Sequence, residues 1–318
     1  MVVPRGFRAE VYAKGLEHPT AMAFGPDGRL YVTEDVGNVV RVRPGTTSPR
    51  MVAGGFNVPL GLVWLGRRLV VSQQGGLVRL RLRDRRLIGR TVLVSGLPFG
   101  EHQQDNVVVR SGRLYFGSGS TCDACVETDP RSAAVLSVLP DGTNLRIVSR
   151  GLRNPYGLAV EPGTNRLFVS VNGRDDLGGG EPAESVVVAR HGRDFGWPGC
   201  WPSFAPRTLD GDCNGVTPPV AYLEPHSSAA GIAFYTGSSF PSGYRGDLFI
   251  ALWGQYYSHD HGRRVVRLKL GPDGVVRKRP FVRGLPHPLA LAVDSRGALL
   301  VADWQRGAIL RIQAKGAP

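Results

Sequence analysis

The sequence predicts an all-β chain folded as a six-bladed β-propeller of four-stranded antiparallel sheets. Three observations carry this. The 318 residues include 43 Gly and 24 Pro, punctuation too frequent for long helices. One strand phrase recurs six times along the chain. The spacing of most copies falls near the roughly 40–50 residues of a propeller blade.

The phrase is a Gly-containing turn followed by a short strand of Leu with aromatic or β-branched residues. Its copies are Arg29-Leu30-Tyr31-Val32, Arg68-Leu69-Val70-Val71, Arg113-Leu114-Tyr115-Phe116, Arg166-Leu167-Phe168-Val169, Asp247-Leu248-Phe249-Ile250 and Ala298-Leu299-Leu300-Val301. Turns such as Pro26-Asp27-Gly28, Pro162-Gly163 and Ser295-Arg296-Gly297 precede them and favour tight antiparallel reversals. The repeated leucines stand 39, 45, 53, 81 and 51 residues apart. The long interval implies an inserted loop region at about 171–230 within a single domain spanning 1–318, and long loops on a rigid scaffold are where sites are built. After Leu299 only one strand pair remains, through Ile309-Leu310-Arg311-Ile312, so the early strand Phe7-Arg8-Ala9-Glu10-Val11-Tyr12 is expected to complete the last sheet. Such pairing of the N- and C-terminal strands closes the ring and removes open edges.

The formal net charge is +13, yet only four lysines occur and the arginines are spread through many expected strands. That distribution describes a solvated basic surface and argues against a nucleic-acid face. No run approaches the roughly 18–20 apolar residues of a membrane span, so no span is expected. Met1-Val2-Val3-Pro4-Arg5 lacks the apolar stretch of a signal peptide. Either the protein is cytoplasmic or an export signal has been removed and replaced by a start methionine. The cysteines form two local pairs, Cys122/Cys125 and Cys200/Cys213. A C-x-x-C pair can be a redox motif or half a zinc site, but the β-rich context and the spacing of the second pair suit neither well. Two loop-stapling disulfides are the favoured reading, and they imply an oxidising compartment, periplasmic or secreted.

Several loops carry chemistry. His102 lies before the expected strand Asn106–Val109, at a channel mouth; on its own, a loop histidine is more often plain surface than a base. In Gly151-Leu152-Arg153-Asn154-Pro155-Tyr156, an arginine and an amide precede a Pro turn, a placement suited to clamping an anionic group or to pairing Arg153 with an acid of a neighbouring blade. The loop from Asn172 to Glu184 combines oxygen ligands with flexible glycines, which suits Ca²⁺, although EF-hand spacing is absent.

These phrases, Gly119-Ser120-Thr121-Cys122-Asp123-Ala124-Cys125, Arg153-Asn154-Pro155, Asn172-Gly173-Arg174-Asp175-Asp176-Leu177-Gly178 and Asp194-Phe195-Gly196-Trp197-Pro198, together resemble the glucose/sorbosone dehydrogenase family, and within it the sorbosone-dehydrogenase-like branch. The similarity runs from about residue 7 to 313 and is densest between 95 and 240. It implies a six-bladed propeller that oxidises the anomeric carbon of a sugar with pyrroloquinoline quinone (PQQ) beside Ca²⁺, passing electrons to an external acceptor. On that resemblance His102 is the general base, with an ordinary pKa near 6.5 suited to neutral pH, and Arg153 stabilises charge developing on the quinone oxygen. His102, Gln103, Arg153 and Asn154 would hold the cofactor, with Asn172, His226 and Trp253, and Tyr256 beside Trp253, completing the pocket. Asn172, Gly173, Asp176 and Glu184 fall where the family's metal loop lies. The chain also departs from the pattern. Members that bind the quinone tightly carry an Arg-x-Arg-Asp phrase before the last inner strand, where His287-Pro288-Leu289-Ala290 stands here, and Pro59-Leu60 replaces a common Gln. Loss of two charge-assisted contacts to a tricarboxylate, at roughly 1.5–3 kcal/mol each, costs at least about a hundredfold in affinity. Two other functions fit the fold: a calcium-dependent sugar-lactonase-type hydrolase, and a non-catalytic binding propeller.

Overall fold

The computed structural model describes residues 1–255, 261–271 and 274–317. Apart from one turn of 3₁₀ helix at Ser242–Tyr244, all its regular structure is β. Six antiparallel sheets follow one another along the chain and form the blades of a propeller. In each, the strand bearing the repeated leucine lies second, between the inner strand and the third. Leu30, Leu69, Leu114, Leu167, Leu248 and Leu299 are all fully buried, which is why the same residue type recurs at this position. Adjacent blades enclose six apolar clusters; that between blades five and six, for example, joins Phe249, Phe281, Leu291 and Val301.

The inner strands are Pro19–Phe24, Gly61–Leu65, Gln104–Arg110, Leu158–Val160, Ala229–Phe234 and Pro288–Val293. Each contacts the next around the ring, and the last returns to the first. The sixth blade closes as expected: Phe7–Lys14 pairs antiparallel with Ala308–Ala314 on its outer edge.

The stretch 171–230 is more than a loop. It carries the third and outer strands of blade four, Ser185–Ala189 and Ala221–Tyr222. Arg193–Asp194 leaves that blade and joins the outer edge of blade three in parallel. A small hairpin, Cys200–Pro202 with Leu209–Gly211, completes the excursion. Both cysteine pairs are disulfides, Cys122–Cys125 and Cys200–Cys213, and no free cysteine remains.

Register breaks at the top of four inner strands, between Pro19 and Ala21, Gln104 and Val107, Ala229 and Ile232, and Pro288 and Ala290. A bulge of this kind re-aims a side chain that the strand alternation would place elsewhere. Thr20, Ala230 and Leu289, at three of the four, all line the cavity at this end of the channel.

Candidate functional site

A cavity of about 800 Å³ opens at that end. Blades three and four supply His102, Arg153, Asn154, Asn172, Gly173 and Glu184. Blade five supplies His226 and Trp253, and Leu60, Asp35 and Trp304 form the remaining wall. Most of the residues singled out in the sequence therefore share one space. Gln103 and Asp176 do not line it. The Gln103 amide donates to Val58 O at 2.8 Å, and Asp176 is ion-paired with Arg174 at 2.5 Å. Tyr256 lies outside the described residues.

His102 is fixed from behind. Ser120 Oγ donates to Cys122 O at 2.6 Å, so its oxygen receives the His102 Nδ1 proton across 3.0 Å. The lone pair is thereby left on Nε2, which has no protein partner among the described residues. Burial first, and then the charge of Arg153, pull the imidazole down to about 4, below the ordinary value expected from sequence. Neutral His102 is thus the form present at neutral pH. Gly119 makes the placement possible: a Cβ there would sit 2.4 Å from the His102 Cβ.

Arg153 is almost fully buried, with Asp123 Oδ1 at 2.7 Å and Asp175 Oδ2 at 2.8 Å from its guanidinium. The arginine pairs with acids of two blades and also lines the cavity. The Cys122–Cys125 loop supplies Asp123, whose carbonyl also accepts from Trp197 Nε1 at 3.0 Å. Asp175 in turn lies 3.3 Å from His226 Nδ1, while His226 Nε2 is 2.8 Å from Gly178 O. Burial alone would lower His226, but these acceptors outweigh it and raise its pKa. His226 and Ser228 both adopt positive φ, a conformation disfavoured for side-chain-bearing residues and one that clusters at functional sites.

Glu184 ties the blade-four loop to blade five: its carboxylate accepts from Gly173 N at 2.8 Å and Ser228 N at 3.1 Å. Burial raises its pKa to about 7, against the smaller opposing pull of these two N–H donors and of Arg153. Asn154 Oδ1, Tyr156 Oη and Asn172 Oδ1 are buried without hydrogen-bond partners. Asn172 Oδ1, buried without a partner, and the buried Glu184 carboxylate line the same cavity and are oxygens of the kind a hard cation such as Ca²⁺ takes, while Asp176 does not line it. The only cluster of three potential metal ligands among the described residues is Cys122, Cys125 and Glu127, whose sulfurs are spent in a disulfide. For PQQ, whose orthoquinone oxygens accept, the Arg153 guanidinium and the Asn154 side-chain NH2 are the donors that fit that end, and the Nε2 lone pair of His102 is left to take a proton. Leu60 and Leu289, apolar side chains, also line the cavity.

The residues that the sequence did not flag are Ser120, Glu101, Asp35, Tyr156 and Trp304. Asp35 Oδ2 accepts from Trp304 Nε1 at 2.8 Å across 269 residues of sequence, a contact that ring closure creates and no local pattern announces.

The family pattern Glucose / Sorbosone dehydrogenase matches residues 135–284, a stretch that contains Arg153, Asn154, the metal-loop candidates and His226. Residues 135–284 belong to the glucose/sorbosone dehydrogenase family. Among curated proteins, the aldose sugar dehydrogenase YliI of Escherichia coli K12 is 24% identical over 350 residues, covering 85% of this chain and 89% of that protein. Among solved structures, the holo pyranose dehydrogenase PQQ domain of Coprinopsis cinerea superposes with a TM-score of 0.83 at 18% identity, over 98% of this chain and 96% of that one. The PQQ-bound aldose sugar dehydrogenase of Streptomyces coelicolor gives a TM-score of 0.78 at 20% identity, over 99% and 100%. At these identities the structural likeness establishes the propeller fold. The family match and the curated relative support an oxidoreductase at the level of the family, and the chain resembles the aldose sugar dehydrogenases.

Proposed function

We propose that the chain is a PQQ-dependent dehydrogenase that oxidises the anomeric carbon of aldoses in an oxidising compartment. The observation that carries this reading is His102, neutral and with its Nε2 lone pair set by Ser120, in one cavity with Arg153 and Asn154. When bound, the quinone supplies a two-electron acceptor for the hydride leaving C1. His102 Nε2 takes the proton of the anomeric hydroxyl, and the sugar leaves as its lactone. Arg153 and Asn154 hold the reactive end of the cofactor, and the arginine's charge stabilises a developing oxyanion. The Asp123 and Asp175 carboxylates fix that guanidinium in place. Asn172, Gly173 and Glu184 hold Ca²⁺, while His226 and Trp253 bound the blade-five side. The two disulfides support periplasmic or secreted residence. The physiological acceptor is external.

The test is reconstitution with PQQ and Ca²⁺ followed by dye-linked oxidation of a panel of aldoses. Activity that His102→Ala lowers by roughly 10²–10⁴-fold is expected. The acid-rich lining and the absent last-blade arginines favour, as a second reading, a Ca²⁺-dependent sugar lactonase. Hydrolysis of sugar lactones without quinone, and no aldose oxidation with it, would select that reading.

A further inference from the structure

The two outer strands of blade five, Arg264–Gly271 and Gly274–Arg283, set cations directly against cations. Arg264 stands opposite Arg283, Arg267 opposite Arg279 and Lys269 opposite Arg277. Like charges in direct cross-strand register destabilise a sheet. Charge on an edge strand also guards against edge-to-edge pairing, but that purpose needs no second row of cations facing the first. Arg264 is offset by Glu224 and Arg267 by Asp247, whereas Lys269, Arg277 and Arg279 have no acid at ion-pair distance among the described residues. The arginines that the sequence spreads over many strands are here brought into one place.

Strand alternation puts Arg267, Lys269, Arg277 and Arg279 on one face, where they line a groove of about 360 Å³. Lys278, between two of them, points to the other face and donates to Tyr222 O at 2.6 Å. Tyr244, Phe281, Pro4 and Pro280 form the apolar wall of the groove, and both rings are set in the aromatic cluster around Phe7. Arg267 is fixed in advance: it donates to Asp247 and to Gly243 O, and its guanidinium carbon lies 3.5 Å from the centre of the Tyr244 ring. Sheet geometry spaces the two cation pairs by about 5 Å across the strands and about 7 Å along them. The groove shares no residue with the cavity that holds His102.

We propose that this groove is a second binding site, for a small polyanion carrying two phosphoryl or carboxylate groups. Arg267 with Arg279 takes one group, and Lys269 with Arg277 takes the other. A guanidinium fork matches the oxygens of either group, and each bound anion cancels the repulsion within the pair that holds it. An anion with a single charged group leaves the second pair opposed. The volume is that of a metabolite-sized ligand. The site is independent of the reaction in the main cavity.

Calorimetry on the full chain tests this with 1,3-propanediol bisphosphate, and with propyl phosphate as the single-group control. The bisphosphate should bind one to one and at least about tenfold more tightly than propyl phosphate, the advantage shrinking as salt rises. Lys269→Gln/Arg277→Gln should weaken it by at least about tenfold. Arg81→Gln/Arg86→Gln, which removes the same charge from exposed positions on blade two, should leave it within about twofold. Without ligand, Lys269→Gln/Arg277→Gln should unfold at no lower a temperature than the native chain, because an opposed pair has been removed. Equal affinity for the two phosphates, undiminished binding in Lys269→Gln/Arg277→Gln, or an equal loss in the blade-two variant overturns the proposal. So does tight binding to phosphatidylglycerol vesicles without binding of the bisphosphate, which would make the strip a surface for a bilayer.

Discussion

His102 owes its state to three neighbours, and each gives a separate expectation. Burial and Arg153 hold its pKa at about 4, below the ordinary value, so the neutral base persists as pH falls and is lost only as pH passes downward through about 4. The acid limb of kcat/KM should therefore lie near that value, and a limb at the ordinary pKa of about 6.5 would contradict the placement of the side chain. Ser120 fixes the tautomer, so Ser120→Ala should lower kcat by about tenfold with little change in thermal midpoint. Gly119 leaves room for the imidazole, and Gly119→Ala should displace it and reduce kcat by at least about tenfold, measured in the same dye-linked assay. Histidine at this position is readable as a candidate from its loop. Its shifted pKa is not, because burial and the approach of Arg153 from another loop exist only in the folded ring.

Loops and bulges determine what the blades present to the channel. The Cys122–Cys125 staple carries Asp123, which positions Arg153, so Cys122→Ser with Cys125→Ser should reduce activity more than stability. The Cys200–Cys213 bridge closes a longer segment and should contribute roughly 3 kcal/mol to stability, read as a fall in denaturation midpoint in Cys200→Ser/Cys213→Ser. Glu184 is the buried acid of the expected metal loop. Ca²⁺ should raise the thermal midpoint of the native protein at about pH 8, where the Glu184 carboxyl is mostly ionised, by several degrees, and that of Glu184→Gln by much less. The second strand of each blade is legible from its buried leucine, and the Asn172–Glu184 loop from its glycines and oxygens. The contributions of Thr20, Ala230 and Leu289 are hidden, because a one-residue bulge moves a side chain to another face without altering the composition of the strand.

At the scale of the whole molecule, closure does two things. Pairing of Phe7–Lys14 with Ala308–Ala314 completes the sixth sheet and inserts Phe7 among Phe240, Phe281 and Tyr244, at ring centroid distances of 4.8, 5.2 and 5.4 Å. Phe7→Ala should cost roughly 3–5 kcal/mol in chemical denaturation. Closure also brings Asp35 of blade one against Trp304 of blade six, so that the cavity has a wall opposite His102. The six leucine copies and the two terminal strands are enough to foresee the ring, whereas contacts between its distant ends are not legible, since each partner has an ordinary local sequence. The central claim is that this cavity joins a base to a bound quinone for oxidation at C1. Anaerobic mixing of the quinone-loaded protein with one equivalent of an aldose tests it most directly, by following the quinone absorbance with C1-protium and C1-deuterium sugar. Single-turnover reduction of the quinone, slower with deuterium and absent in His102→Ala, which still holds the quinone, is expected; a quinone that is bound but never reduced by any aldose rules out oxidation at C1 in this cavity.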